Sequence, residues 1–309
     1  MNINDSNIKK AVKYLNNEEC IGIPTETVYG LAANAYSNTA TIKIYKLKKR
    51  PKFNPLIVHY FDLKMLKKDC YINNIFIKLF KKFCPGPITF ILKLKKTSSV
   101  SRIVTNNKNS LAVRFPKHPV ARTLLKKINF PLAAPSANIS TSISPVTKSD
   151  VKDEFGSKLK YILDGGRSII GLESTIIDLT NRPKIVRLGG LKLEKINKVL
   201  NLKLKFINKS FIKVPGQSKL HYSPGIPIRL NVIKPKTNSA YLLINKRNSK
   251  NINFFYLSKK KNLTEAGKNL YKTLREIKKK KYKLIEVEKI PNIGIGQTIN
   301  DRLKRESYK

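Results

Sequence analysis

The chain has 309 residues, a formal net charge of +44 and a hydrophobic fraction of 41%, enough for one large or two ordinary globular domains. It holds no apolar run near the roughly 20 residues of a membrane helix and no apolar signal-peptide block. Its three cysteines lack metal-ligand spacing, which argues against a disulfide scaffold and against structural zinc. We therefore expect a cytoplasmic protein without a membrane partner.

Helical and strand patterns alternate up to about residue 190. Periodic apolar residues predict helices at 5–16, 38–49, 73–83 and 117–128. Short apolar and β-branched runs predict strands at 21–24, 56–61, 88–94, 111–115, 132–134, 161–163, 175–179 and 185–188. This is more strand than a simple doubly wound fold needs, so the pattern predicts a mixed α/β domain.

The remainder of the chain has a separate pattern. Proline and glycine residues between 214 and 225 interrupt regular structure and indicate a linker. Beyond it, Asn262 begins a helix with one apolar face, and a strand is predicted at 284–287. The sequence thus predicts a first domain at 1–205, a linker at 206–228 and a small C-terminal α/β domain at 229–309.

Two polar clusters interrupt the apolar pattern of the first domain. A proline after Arg50 forces that arginine into an extended conformation, so Lys48 and Arg50 should project from a helix end. Ser136 and Asn138 would point the same way in an extended segment. Two cations and two neutral hydrogen-bonding groups suit the phosphates and sugar of a nucleotide. The same cations could simply complement a helix dipole, and Pro-Ser-Ala-Asn could be an ordinary turn.

A series of motifs, in order and at compatible spacing along the chain, resembles the YrdC-type L-threonylcarbamoyladenylate synthases, in their long two-domain branch. They are IPTETVYGL at 23–31, KKRP at 48–51, NPLIVH at 54–59, CPGPIT at 84–89, LAVRFP at 111–116, APSAN at 134–138, GLESTIID at 171–178, VRLG at 186–189 and PGQSKLHYSP at 215–224. The resemblance implies a YrdC-like α/β catalytic domain, whose twisted mixed sheet has a concave active-site face, followed by the small C-terminal domain.

The resemblance also implies a reaction. L-Threonine, bicarbonate and ATP, with Mg²⁺ as the cofactor of ATP, would give threonylcarbamoyl-AMP and pyrophosphate. A partner transferase would then use this adenylate to modify the adenosine next to the anticodon in tRNA. Such a nucleotidyl transfer needs positioning and charge neutralisation rather than a protein nucleophile, because the substrate amine and the resulting carbamate make the attacks. We expect no metal site formed by the protein itself.

Site residues are carried over motif by motif from the same resemblance. The implied catalytic residues are Lys48, Arg50, Ser136 and Asn138. The implied ATP-binding residues are Arg50, Asn54, Ser110, Ser136, Ser144, Arg187 and Tyr222. The implied L-threonine-binding residues are Thr27, His59, Arg114, Ala134 and Ser174. Arg114 is the natural clamp for the amino-acid carboxylate, since an arginine inside an apolar strand needs an anion.

The high charge leaves an alternative function open. A concave basic surface could bind tRNA or ribosomal RNA without catalysis, although lysine-rich solvated faces could equally reflect biased composition. The residues implied for threonine binding discriminate, because an RNA-binding module has no use for them. A related carbamoyl-transfer accessory of the same fold is disfavoured by the linker with His221 and Tyr222. We expect at most weak electrostatic binding of tRNA.

Overall fold

The computed structural model describes residues 4–206, 222–247 and 251–306, and these ranges form two separate sheets. The larger is an eight-stranded sheet in the order β1-β2-β6-β3-β5-β4-β7-β8. Its strands are β1 Ile21–Ile23, β2 Gly30–Asn34, β3 Ile57–His59, β4 Ile88–Lys93, β5 Ser110–Arg114, β6 Leu132–Ala133, β7 Thr175–Asp178 and β8 Lys184–Arg187. The pairs β3/β5 and β4/β7 are parallel and the others are antiparallel. This is the mixed α/β sheet that the sequence predicts.

Helices flank this sheet. They are α1 Asp5–Asn16, α2 Asn38–Lys48, α3 Leu63–Asp69, α4 Asn74–Phe83, α5 Arg102–Thr105, α6 Pro119–Lys126, α7 Lys148–Phe155 and α8 Leu193–Leu200. The end of α2 matters most for function. Its last turn closes at Lys49, which adopts a left-handed conformation with φ 48°, and Pro51 follows two residues later. The helix therefore stops where the sequence predicts, and Arg50 begins a new direction.

The two faces of the large sheet carry different side chains because residues alternate along each strand. Val58 and Val113 belong to the main core, which packs the sheet against helices such as α2 and α4. Their neighbours Ile57 and Ala112 belong to a small apolar cluster on the opposite face. On that face, α1 and α6 cover β1, β2 and β6 through a third cluster that includes Leu124. The rest of the face, over β3, β5, β4 and β7, is where polar residues gather.

The second sheet forms a small C-terminal domain. Its elements are β9 Ile228–Leu230, β10 Ala240–Asn245, β11 Phe254–Ser258, α9 Leu263–Lys279, β12 Ile285–Val287 and α10 Ile295–Glu306. The strand order is β11-β10-β12-β9, and all three pairs are parallel. Asn262 begins α9, because its Oδ1 accepts from the backbone N–H groups of Thr264 and Glu265.

The C-terminal domain packs directly on the first domain. Val28, Ile143 and Leu172 of the first domain share one hydrophobic cluster with Leu270 and Ile299 of α9 and α10. The side chain of Leu172 lies so close to Gly267 in α9 that an added Cβ would approach it within 2.9 Å. The two domains therefore share a continuous apolar interface rather than a loose connection.

Several observed elements were not predicted, namely α3, α5, α7, α8, α10, β9, β10 and β11, and some predicted elements differ from the structure. The predicted helices and most predicted strands form, whereas 161–163 makes a single bridge between Gly22 and Ile162 instead of a strand. Strand β2 was not predicted, because Gly-Leu-Ala-Ala-Asn lacks β-branched and alternating residues. The proposed domain boundaries stay predictions, and 207–221, most of the predicted linker, lie outside the described residues. No helix in the described ranges has the length and apolar character needed to cross a membrane.

Candidate active site

A cleft on the polar part of the sheet brings together most of the residues singled out in the sequence. The implied site residues in its lining are Arg50, His59, Arg114, Ala134, Ser136, Ser174, Arg187 and Tyr222. Three of these are arginines, so the cleft is suited to a multiply charged anion.

Two of the lining residues lie side by side because of strand register. His59 and Arg114 are the last residues of the adjacent parallel strands β3 and β5, and they are paired in the sheet. The Nη2 of Arg114 donates to Glu26 Oε1 at 2.7 Å, and both side chains are almost fully buried. The buried Nε of Arg114 has no hydrogen-bond partner among the described residues. A guanidinium held by one carboxylate and still able to donate is suited to bind a second carboxylate.

His59 is a neutral group in this environment. Burial, and then the positive charge of Arg114, hold the pKa of His59 well below its usual value of 6.5. Its Nδ1 is buried, and no described residue hydrogen-bonds to it. An uncharged imidazole beside a cation can hydrogen-bond to a hydroxyl or amine without adding a second charge.

Ser174 and Arg187 form one wall of the cleft. Arg187, at the end of β8, donates through Nε and Nη2 to the Ser174 carbonyl at 3.1 and 2.9 Å. The same Nη2 lies 3.1 Å from Ser174 Oγ, and Thr89 Oγ1 lies 2.7 Å from that hydroxyl. Ser174, implied for threonine binding, and Arg187, implied for ATP binding, are thus joined by direct hydrogen bonds.

Arg50 and Lys48 have different surroundings despite their spacing in one motif. Arg50 lines the cleft and donates to the carbonyls of Asn54 and Pro55, both at 3.0 Å. Burial lowers its pKa to about 10, which still leaves it a cation at neutral pH. Lys48 instead donates its buried amine to the carbonyls of Ser136 and Asn138. Its implied contact with phosphate would require these bonds to break, so the structure gives Lys48 a role in holding the Ser-x-Asn segment.

Several implied residues lie outside the cleft lining. Asn138 donates its side-chain amide to the carbonyls of Ile139 and Ser142, both at 2.7 Å, and so ties its own turn together. Thr27 Oγ1 lies 2.8 Å from Thr25 Oγ1. Asn54 meets Arg50 through its backbone carbonyl rather than its side chain. The side chains of Asn138 and Thr27 therefore stabilise the loops in which they lie.

Ser110 and Ser144 also lie away from the lining. Ser110 begins β5, so it lies on the same face as Arg114 but about 13 Å along the strand. It borders a second cleft, which is rich in lysine. Ser144 Oγ donates to Glu173 Oε1 at 2.6 Å. Its implied contact with ATP therefore competes with a bond to a buried carboxylate.

Buried carboxylates are what the sequence analysis missed. Glu26 and Glu173 lie inside the quoted motifs and are almost fully buried. Glu26 orients Arg114 and also accepts from the Lys117 N–H at 3.0 Å. Both glutamates are charged residues within largely apolar motifs. Because such residues are buried only when they are paired, this position was the signal that could have identified them.

The described residues contain no group of three or more His, Cys, Asp or Glu side chains that could hold a metal ion. Among the residues that the structure describes, Glu173 is the one carboxylate in the cleft lining. It already accepts from Ser144 and from two residues of the C-terminal domain. This donor set does not form a cage for a divalent cation.

Comparison with known proteins identifies relatives of both domains. The Sua5/YciO/YrdC family model, described as telomere recombination, matches residues 13–189, and the model for the threonylcarbamoyl-AMP synthase C-terminal domain matches residues 191–307. Threonylcarbamoyl-AMP synthases of Pyrococcus abyssi and Bacillus subtilis are 34% and 32% identical, aligning 99% of this chain with 95% and 94% of theirs. The crystal structure of Pyrococcus abyssi Sua5 complexed with L-threonine is similar with a TM-score of 0.91 at 32% identity, covering 99% of this chain and 96% of that one.

Proposed function

The chain belongs to the threonylcarbamoyl-AMP synthase family, and we propose that its cleft joins L-threonine, bicarbonate and ATP into L-threonylcarbamoyl-AMP. The observation that carries this proposal is the pairing of His59 with Arg114 at adjacent strand ends, in one cleft with Arg50 and Arg187. We call His59 and Arg114 the amino-acid end, and Arg50, Ser136, Arg187 and Tyr222 the nucleotide end.

The reaction proceeds through two attacks by substrate atoms. The threonine amine attacks the carbon of bicarbonate, and loss of water gives a carbamate. A carbamate oxygen then attacks the α-phosphorus of ATP, the bond to the β-phosphate breaks, and pyrophosphate leaves. Every reactant carries negative charge at the moment of the second attack. The protein therefore contributes cations and fixed geometry rather than a nucleophile.

The amino-acid end has groups that match threonine. The Arg114 guanidinium binds the α-carboxylate through donors that Glu26 leaves unused. The neutral His59 hydrogen-bonds to the amine or hydroxyl. A neutral imidazole can accept a hydrogen bond from the threonine amine, which must lose a proton before it attacks. Ser174 and Ala134 complete the implied threonine site.

The nucleotide end has groups that match ATP. Arg50 and Arg187 neutralise phosphate oxygens, and Ser136 donates a hydrogen bond. Ile57 also lines the cleft and belongs to the apolar cluster with Ala112. This cluster offers a surface for the base and ribose between Arg114 and Ser110.

Mg²⁺ enters as part of the substrate MgATP. The phosphates and water would supply its ligands, since Glu173 is engaged by protein donors. The ion would neutralise the leaving pyrophosphate, while Arg50 and Arg187 act on the oxygens that face the protein.

The product belongs to tRNA modification. A mixed anhydride of a carbamic acid and AMP is an activated acyl donor, so a downstream transferase would use it to modify the adenosine next to the anticodon. Binding of tRNA by this chain would be weak and electrostatic. An RNA-binding module without catalysis is the alternative, and the buried Glu26–Arg114 pair beside His59 opposes it, since it does not lie on an exposed basic surface.

The direct test is product formation from purified protein. ATP, L-threonine, bicarbonate and MgCl₂ should give pyrophosphate and an adenylate of the mass of threonylcarbamoyl-AMP. Omission of any one substrate should abolish both products. Pyrophosphate release that is independent of threonine would contradict the proposal and indicate a general ATPase.

A further inference from the structure

Two side chains of the C-terminal domain contact the carboxylate of the cleft. The Tyr271 hydroxyl, on α9, donates toward both oxygens of Glu173 at 2.9 Å. Arg302, on α10, donates its Nε to Glu173 Oε2 at 3.0 Å. Ser144 Oγ donates from the first domain at 2.6 Å. Tyr271 and Arg302 are fully buried, so these bonds are shielded from water and fix the carboxylate in one orientation.

The same two side chains also contact the aromatic residue of the cleft. The rings of Tyr222 and Tyr271 stack with centroids 5.9 Å apart, and the Arg302 guanidinium lies 4.6 Å from the centre of the Tyr222 ring. Arg302 Nη2 also donates to the Leu188 carbonyl at 2.6 Å, one residue beyond Arg187. Each side chain therefore contacts at least two separate parts of the cleft wall.

The arginines of this cluster act on the charge of Glu173. Burial alone would raise the pKa of Glu173, but the charges of Arg302 and Arg187 and the bond from Ser144 bring it below its ordinary value. Glu173 is thus ionised and lies near Arg187 at the nucleotide end. A buried ion pair adds little net stability, because each ion gives up its hydration. Its best-supported use is to fix one arrangement of side chains.

We infer that Tyr271 and Arg302 are positioning residues for adenylate synthesis, which hold Glu173 and Tyr222 in place at the nucleotide end. The inference rests on the proposed function. The C-terminal domain then forms part of the active site without itself contacting the reacting atoms. Loss of either side chain should weaken ATP binding more than it weakens threonine binding, because the amino-acid end is formed within the first domain.

Four variants test this role in the full-length chain. Arg302→Met removes the charge at similar length, and Arg302→Lys restores the charge without the planar fork. Tyr271→Phe removes the hydroxyl and keeps the ring stacked on Tyr222. The control is Arg167→Met, because Arg167 also bonds α9, at the Lys268 carbonyl and Asn269 Oδ1, but does not line the cleft.

The measurements are the ATP dissociation constant by calorimetry, KM for ATP and for threonine, kcat and Tm. We expect Arg302→Met to weaken ATP binding about 10- to 100-fold and Tyr271→Phe about 5-fold, as for lost hydrogen bonds to a charged group. Arg302→Lys should recover part of the loss. Threonine affinity without ATP should change less than about twofold, and Arg167→Met should leave ATP affinity near the wild-type value.

The inference is wrong if Arg302→Met and Arg167→Met reduce Tm and ATP affinity to the same extent, since both would then act by domain docking alone. It is also wrong if Tyr271→Phe leaves ATP affinity unchanged, a result that decides the matter should Arg302→Met fail to fold. Wild-type protein that binds ATP but makes no adenylate would reject the proposed function instead. The ATP affinities of the variants would still test the positioning role.

Discussion

The two ends of the cleft are built in different ways. At the amino-acid end, His59 and Arg114 are neighbours in one pair of parallel strands, so backbone hydrogen bonds set their distance. At the nucleotide end, Arg50 follows a helix end, Ser136 makes an isolated bridge to Gly30, and Tyr222 is held by the C-terminal domain. One end therefore depends on strand register and the other on packing between distant parts of the chain.

This difference predicts how each end fails. A substitution at the amino-acid end leaves the sheet intact and leaves a buried charge without its partner, so its cost is local and electrostatic. A substitution at the nucleotide end removes one of several contacts that come from separate segments. Its cost should appear mainly in catalysis and nucleotide affinity.

The largest expected effect is at the amino-acid end. Arg114→Gln should lower the free energy of unfolding by about 3–5 kcal/mol, because Glu26 would remain buried without its cation. Threonine binding should weaken at least about 30-fold through loss of the carboxylate partner. Urea unfolding and calorimetry with threonine measure the two effects.

A double variant separates these effects. Glu26→Gln combined with Arg114→Gln removes both charges, so most of the stability should return while threonine binding stays weak. Recovery of threonine binding in the double variant would show that Arg114 serves the fold and does not clamp the substrate. That result would also remove the contrast between the two ends.

The next effect concerns the nucleotide end. Arg50→Ala should cost about 2–4 kcal/mol of transition-state stabilisation, as for one lost preorganised charge donor. The free energy of unfolding should change far less, since Arg50 bonds backbone carbonyls that lie within five residues of it. Steady-state kinetics and urea unfolding distinguish the two effects. Near-wild-type turnover would mean that Arg50 only terminates α2.

Lys48→Met is the informative comparison for Arg50. The Lys48 amine bonds the carbonyls of Ser136 and Asn138, so its loss should lower the free energy of unfolding by about 1–3 kcal/mol. Turnover should fall less than in Arg50→Ala. A larger loss of turnover than in Arg50→Ala, at unchanged stability, would instead support the direct phosphate contact implied by the motif.

A smaller effect should appear in the pH dependence of stability. The folded protein keeps His59 neutral, whereas the unfolded chain binds a proton below about pH 6.5. The free energy of unfolding should therefore fall as pH drops below 6.5, by about 1.4 kcal/mol per pH unit for this one group. Urea unfolding between pH 5 and pH 6.5 measures the slope of the unfolding free energy against pH. This slope should be steeper in the wild-type protein than in His59→Gln, by the contribution of about one proton, or about 1.4 kcal/mol per pH unit.

His118 provides the control for this measurement. Burial also lowers its pKa, but His118 does not line the cleft, and its Nε2 lies 3.1 Å from the Gly165 carbonyl. His118→Gln should reduce the slope without changing threonine affinity. Equal slopes in wild-type protein and His59→Gln would mean that His59 is protonated in the folded state.

The smallest expected effect concerns the surface charge. Adenylate synthesis in RNA-free buffer should change less than about twofold when tRNA is added near 0.15 M salt, where exposed charges are screened. The net charge of +44 lies largely outside the cleft, so it affects neither end. Tight binding of one tRNA class that survives this salt, with faster synthesis, would give the basic surface a function.

The sequence predicted the amino-acid end better than the nucleotide end. Arg114 and His59 stand in apolar strands, where an isolated polar residue is conspicuous and strand pairing settles its position. The different roles of Lys48 and Arg50 could not be predicted, because two neighbouring cations differ here only in the direction of their side chains. Tyr271 and Arg302 meet Glu173 across more than 90 residues of chain, and spacing patterns report nothing at that separation.

Strand β5 serves two purposes with one stretch of five residues. Arg114 faces the cleft, and Ser110 and Ala112 lie on the same side of the sheet, while Leu111 and Val113 face the helix-packed core. Inserting or deleting a single residue before Arg114 would turn the arginine into the core and a valine or phenylalanine toward the substrate. Point substitutions can alter either face alone, but changes in length alter both together. The register of β5 in the sheet thus determines substrate recognition as much as the chemistry of its side chains does.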